Sequence, residues 1–151
     1  MATAAKITSG LQVKLNNQQY QSQPPGFNAD IPGTSGPTPG TIQALTTLSI
    51  VDLSQITRVG NVPGLCFIKN LDQINTVQAG PYDPDTTTFL PLLDFLPGEG
   101  FTMRLSAFLG KELVPGTGTG IEDVGNVQLA IKALGAPCQV QVDVFGATAP
   151  P

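Results

Sequence analysis

The chain contains no histidine and no tryptophan. The first absence removes the commonest general base and the commonest metal ligand at neutral pH. The second, with aromatic residues at only 6%, removes the usual platform for stacking on sugars. Charge is scarce as well: 12% of residues are charged, about half the ~25% usual in globular chains. The seven basic residues, Lys6, Lys14, Arg58, Lys69, Arg104, Lys111 and Lys132, are scattered, and no two are adjacent. With a formal net charge of −4, no stretch offers the clustered cations that a phosphate backbone requires, so no nucleic-acid partner is expected. No apolar run approaches the ~20 residues of a membrane helix, and no membrane partner is expected. The opening MATAAKITSG lacks the basic segment and apolar run of a signal peptide, which leads us to expect folding in a cytoplasm.

Cys66 and Cys138 are the only thiols. They lie in the apolar or strand-like runs GLCFI and PCQVQV, with no CxxC motif for zinc or redox chemistry. Either adjacent strands bring them together as a disulfide, or they are two buried, reduced, small apolar side chains; the second reading is favoured.

Hydrophobic residues make up 40% of the 151 positions. That suffices for one ordinary domain with its own core, without disulfides or metal. Residues 1–10 are small and polar and form an expected N-terminal arm. Leu11 to Leu15 alternates strictly, the period of a half-buried strand. Residues 16–40 contain Pro24, Pro25, Pro32, Pro37 and Pro39 with interspersed glycines. Prolines remove backbone donors and glycines raise the entropy cost of order, so an extended loop without helix or central strand is expected. Phe27 and Ile31 are its apolar anchors and the candidate partner-contact residues. Loops of this length in compact domains are usually functional or disordered.

The remainder to about residue 146 has strand character. TIQALTTLSIVDL (41–53) is rich in Thr and Ile, with Ile42, Ala44, Thr46, Leu48 and Ile50 on one face. SQITRVG (54–60) is a connection or a strand start. GLCFIKN (64–70) and NTVQAG (75–80) suggest a hairpin joined through Asp72. FLPLLDF (89–95) carries Pro91, which marks an edge strand or bulge. Pro97-Gly98-Glu99-Gly100 is a turn, after which FTMRL (101–105) is expected to return antiparallel. NVQLAIKAL (126–134) and CQVQVDVF (138–145) alternate at period two and suggest a second hairpin across Gly135-Ala136-Pro137. SAFLGKEL (106–113) has room for one helical turn, and residues 147–151 form a tail. About eight strands with turns every 8 to 12 residues predict an all-β chain, an antiparallel β-sandwich or jelly roll over residues 11–146.

No constellation of residues points to catalysis. PGTGTG (115–120) lacks the Lys-Ser/Thr of a phosphate-binding loop. Asp83 and Asp85 lack the glycine and distal glutamate of a calcium loop and suit a solvated turn. Glu122-Asp123 suits exposed loop charge. Serine and cysteine nucleophiles have no histidine base, and no carboxylate pair is marked out for glycoside hydrolysis. Catalytic, cofactor-binding and metal residues are therefore expected to be absent, and the chain is not expected to be an enzyme.

Two runs resemble small β-proteins encoded among the structural genes of tailed bacteriophages. They are GLCFIKNLDQINTVQAG and FLPLLDFLPGEGFTMRL, covering Gly64 to Leu105. The shared pattern is Asn70-Leu71-Asp72 closing an apolar strand, Gly80 ending the return strand, then Pro91-Leu92-Leu93 and Pro97-Gly98-Glu99. Pro-Gly-Glu before a returning strand is also similar to cupin jelly rolls, but cupins hold their metal on histidines and this chain has none. The resemblance implies a virion protein assembled in the host cytoplasm, without cofactor, whose partners are other virion proteins, the major capsid protein foremost. It implies capsid decoration or cement, with a tail or neck component as the alternative. Residues 1–10 and 16–40, which cannot bury themselves, lead us to expect a homo-oligomer or a subunit ordered by the shell beneath it, and the resemblance implies a trimer at capsid three-fold positions. A carbohydrate- or receptor-binding sandwich is the reading from another class.

Overall fold

A computed structural model of the chain describes residues 3–8, 10–15, 18–22, 27–31, 37–57, 62–105, 109 and 127–147. The fold is an antiparallel β-sandwich. Its strands, in chain order, are β1 (Thr3–Ile7), β2 (Leu11–Leu15), β3 (Gln18–Ser22), β4 (Phe27–Ile31), β5 (Thr38–Ala44) and β6 (Ser49–Ile50). A single helical turn, α1 (Ser54–Thr57), precedes β7 (Val62–Asn70), β8 (Thr76–Asp83), β9 (Thr88–Phe89), β10 (Leu93–Phe95), β11 (Gly100–Arg104), β12 (Gln128–Leu134) and β13 (Cys138–Ala147).

One sheet runs β11-β7-β13-β5 and the other β10-β8-β12-β6, with β9 added on β8. Every pairing is antiparallel. The core lies between the sheets and follows the period-two rule that places alternate residues on one face. Val140, Val142 and Val144 of β13 and Cys66 and Ile68 of β7 meet Val77 and Ala79 of β8 and Leu129, Ile131 and Ala133 of β12. Ile56 of α1 and Phe95 of β10 close this core.

Consecutive strands rarely pair with each other. The runs 64–70 and 75–80 are strands, β7 and β8, but they lie in opposite sheets, as do β10 and β11, and β12 and β13. The three expected returns are therefore arches across the sandwich rather than hairpins. The run 41–53 is likewise divided: β5 ends at Ala44 in one sheet, and β6 begins at Ser49 in the other. As a result Ile42 and Ala44 turn inward while Thr46 and Ile50 are exposed. Pro91 falls between β9 and β10 beside β8, consistent with the expected edge position. There the chain comes so close to β8 that a Cβ at Gly80 would overlap the carbonyl oxygen of Leu90.

The 16–40 segment is not a plain loop. β3 and β4 lie within it, and β5 starts inside its far boundary. β4 pairs with β1 from Ile7↔Phe27 to Thr3↔Ile31, and β3 pairs with β2 from Leu11↔Ser22 to Leu15↔Gln18. The expected arm and the expected loop are thus two sides of one nested ribbon. The prolines punctuate rather than prevent strands: Pro24 and Pro25 fall between β3 and β4, and Pro32 follows β4. Pro39 sits in β5, an edge strand, where a missing donor is tolerated. The expected one-turn helix at 106–113, apart from Leu109, and the loop at 115–120 with Glu122-Asp123 lie outside the described residues, as do residues 148–151.

Both cysteines are free and buried. Cys66 lies opposite Val144 on β13, while Cys138 begins that strand. Six residues of strand separate those positions by about 20 Å, far beyond the ~7 Å Cα limit for a disulfide. Burial, reinforced by the nearby Asp143 carboxylate, pushes the Cys66 thiol up to about 12. Desolvation also raises the Cys138 thiol. The native protein is therefore expected to leave both thiols unmodified by an aromatic disulfide reagent at pH 8, with two released per chain on unfolding. Rapid labelling of either in the native state would contradict this packing.

Candidate functional site

β5, β7, β10 and β12 all finish at one end of the sandwich, here called the upper end. Four connections meet there: 45–48, 71–75, 96–99 and 135–137. Arches between sheets leave backbone groups that no ladder can satisfy, and buried ones need other partners. One side chain supplies several of them.

Asn70, the last residue of β7, is 0% exposed. Its Nδ2 donates to the carbonyl of Asn75 at 2.7 Å and to that of Phe95 at 3.1 Å. Its Oδ1 accepts the backbone N–H of Asp72 at 3.0 Å. Its own N–H donates to the carbonyl of Glu99 at 2.8 Å. One residue thus ties the 71–75 arch to the end of β10 and to the 96–99 arch. The adjacent N–H of Leu71 donates to the carbonyl of Gln139 on β13 at 3.0 Å.

The neighbouring loops are closed in the same manner. Asp72 Oδ1 accepts the backbone N–H groups of Asn75 at 2.6 Å and Ile74 at 2.7 Å, plus the Asn75 side-chain amide at 3.2 Å. Those donors, Asn75 foremost, hold its carboxyl below the usual carboxylate range. Glu99 Oε2 accepts the N–H of Leu96 at 2.9 Å, and Gly98 takes the positive φ of 79° that the tight turn needs. Gly135, at φ 101°, leaves room for Asn75: a Cβ there would lie 2.6 Å from Asn75 Oδ1. On the other flank, the carbonyl of Leu45 accepts the N–H of Ala133 at 2.9 Å, and Ser49 Oγ accepts the N–H of Leu45 at 2.9 Å.

This end exposes large apolar side chains beside polar ones such as Thr46, Thr47, Gln73 and Glu99. Leu45, Leu71, Ile74, Leu96 and Leu134 are five of the ten exposed large hydrophobic residues among those described. They come from four separate chain segments, and Ile74 is the most open at 83% exposed. Single exposed leucines are ordinary on a protein surface, and the gathering of five large apolar residues on the elements of one end makes that end the candidate contact surface. The arrangement offers shape and apolar area, with no nucleophile–base pair in it. Among the described residues, no group of three or more His, Cys, Asp or Glu side chains is placed to hold a metal ion.

The expected contact residues lie elsewhere. Phe27 and Ile31 open and close β4, paired with Ile7 and Thr3; their side chains lie outside what the structure describes. Asp83 serves its own turn: Oδ1 accepts the Asp85 N–H at 2.9 Å and Oδ2 the Thr86 hydroxyl at 2.7 Å. Asn70-Leu71-Asp72 and Pro97-Gly98-Glu99, two separate turn signals in the sequence, are brought together through the Asn70 N–H and the Glu99 carbonyl. Leu45, Ile74 and Leu134 had no distinguishing signal, because an exposed loop leucine and a core leucine look alike in sequence.

Replacing Asn70 with alanine is expected to cost roughly 2–4 kcal/mol in chemical denaturation, since it leaves buried carbonyls without donors. Asn70→Asp should cost more, because a carboxylate cannot donate to the Asn75 and Phe95 carbonyls. A change below about 0.5 kcal/mol for Asn70→Ala, the range of an ordinary surface substitution, would show that the arches hold without it. No protein-family model matches the chain, and no curated protein or solved structure matches it closely enough to indicate relatedness.

Proposed function

We propose that this chain is a non-enzymatic structural protein of a tailed-bacteriophage virion, and that it binds the outer capsid surface as a decoration or cement protein. The observation that carries the reading is the upper end, where four arches expose five large hydrophobic residues and the buried Asn70 ties two of those arches together. A protein whose task is surface complementarity needs a rigid, preorganised patch and no reacting groups. The paired motifs at Asn70–Asp72 and Pro97–Glu99, on which the resemblance to phage structural proteins rests, are components of that patch.

Strand order supports the same reading. We infer a jelly roll from β5-β13-β7-β11 facing β6-β12-β8-β10, in which the chain alternates between sheets as two Greek keys do. Viral capsid domains are among the proteins that use this architecture. Fold alone does not fix function; the exposed upper end together with the architecture supports the virion role. A sugar-binding reading is less favoured: Tyr20 and Phe101, the exposed aromatics among the described residues, lie on different sheets.

The test is the composition of purified virions whose genome encodes the chain. Quantitative mass spectrometry is expected to find it at a large fraction of the major capsid protein's abundance. A few copies per particle would place it in the tail or neck instead. Its absence from washed particles would overturn the virion reading.

A further inference from the structure

An open strand edge is a template for another strand, and proteins blunt such edges with proline, bulges or shortness. Three of the four edges of the two core sheets are blunted. β6 is two residues long, and β10 is three residues set between Pro91 and Pro97. β5 carries Pro39, and its Gly40 takes a φ of 85°. β11 has no such device. Its five residues contain no proline, pair with β7 without a register shift, and are exposed except for the half-buried Met103.

The bonds at the two ends of β11 fix which backbone groups are open. The Asn70 N–H donates to the Glu99 carbonyl at 2.8 Å, and the Leu105 N–H to the Gly64 carbonyl at 2.7 Å. Bonded pairs alternate along an antiparallel ladder, so Glu99, Phe101, Met103 and Leu105 turn their peptide groups to β7. The N–H and C=O groups of Gly100, Thr102 and Arg104 therefore point away from the sheet.

The side chains beside this edge differ on its two faces. Met103 and Leu105 pack on the core, and Phe101 shares their face. Phe101 lines a cleft of about 470 Å³ with Leu93, Phe95, Asp94 and Glu99, and Met103 lines a second, apolar hollow of about 110 Å³ that also reaches Leu93. On the opposite face stand Arg104 and, beside Gly100, Lys69. Among the described residues no carboxylate pairs with either cation. Asp143 shares their face but lies across β7 and accepts a bond from Gln141 at 2.6 Å.

We propose that β11 accepts an extended segment of a partner protein as an added antiparallel strand. Its apolar residues lie opposite Phe101 and Met103, over the two hollows, and its acidic residues lie opposite Arg104 and Gly100. Charge selects this occupant: acids on the outer face meet Arg104 and Lys69, whereas acids turned to the cleft would meet Asp94 and Glu99. A second copy fits worse. Two β11 strands paired about Thr102 would set the Arg104 of one copy opposite the Gly100 of the other, where Lys69 already stands, and like charges across a ladder are destabilising. The contact depends on the edge alone and stands apart from the virion reading.

The probe is a synthetic peptide, Ser-Glu-Val-Thr-Val-Glu-Ser, titrated at low salt into the isotope-labelled full chain. Binding is expected to saturate with a Kd between about 10 µM and 1 mM, and to slow hydrogen exchange at the amides of Gly100, Thr102 and Arg104. The peptide with both glutamates replaced by lysine should bind about tenfold more weakly, since both end pairs change sign. Arg104→Glu, at an exposed position, should keep the wild-type circular dichroism spectrum and shrink or reverse that preference. No saturable binding of the acidic peptide at 1 mM would overturn the proposal. So would equal affinity for the two peptides, a preference unchanged in Arg104→Glu, or binding that leaves the three amides unprotected. Protection of the same amides in the free chain at 1 mM would show that a second copy fills the edge, and would also overturn it.

Discussion

The upper end depends on the buried amide of Asn70. Strands that alternate between two sheets must cross the sandwich edge several times, and each crossing leaves peptide groups outside any ladder. Leaving such groups buried and unpaired costs about 1–3 kcal/mol each. Asn70 can serve both kinds of orphan because its side chain carries donors and an acceptor. It donates to two carbonyls and accepts one N–H, while its backbone N–H reaches the 96–99 arch. Neither aspartate nor leucine of similar volume could do the same. With that set satisfied, the arches present leucine and isoleucine to solvent without collapsing inward.

Rigidity at this end matters for the functional reading. A patch assembled from four segments binds well only if those segments are already in place, since ordering loops on contact consumes binding free energy. Asp72 and Glu99 spend their carboxylates on amides of their own arches, and Gly135 makes room for Asn75. The same residues that terminate strands therefore also shape the exposed surface. The N-terminal ribbon contrasts with it: long, largely exposed in β3, and paired within itself.

Most strands were legible in the sequence, because burial on one face imposes period two. Val140, Val142 and Val144 alternate with Gln139, Gln141 and Asp143, and that pattern alone marks β13. Sheet membership was not legible. A Gly-Ala-Pro or Pro-Gly-Glu turn is equally compatible with a hairpin and with an arch, and the choice is made by contacts far away in sequence. Hence β7–β8, β10–β11 and β12–β13 suggested hairpins and proved to be crossings. Proline density also misled at 16–40: composition averages over the segment, whereas strand formation depends on where each proline falls, and the runs 18–22 and 27–31 contain none. The upper end was half visible. Its turn residues Asn70, Asp72, Pro97 and Glu99 were prominent, but their convergence, and the exposure of Ile74, exist only once the sheets are stacked.

The bonds of Asn70 should make the 71–75 and 96–99 arches one cooperative unit. Native-state hydrogen exchange followed residue by residue reads that cooperativity. The backbone amides of Asn70, Leu71, Asp72, Asn75 and Glu99 should share a single opening free energy close to that of the β13 ladder, as a contiguous cooperative unit does. If the 71–75 and 96–99 amides instead exchange with separate, low protection while β13 remains protected, the arches open independently and Asn70 does not unite them.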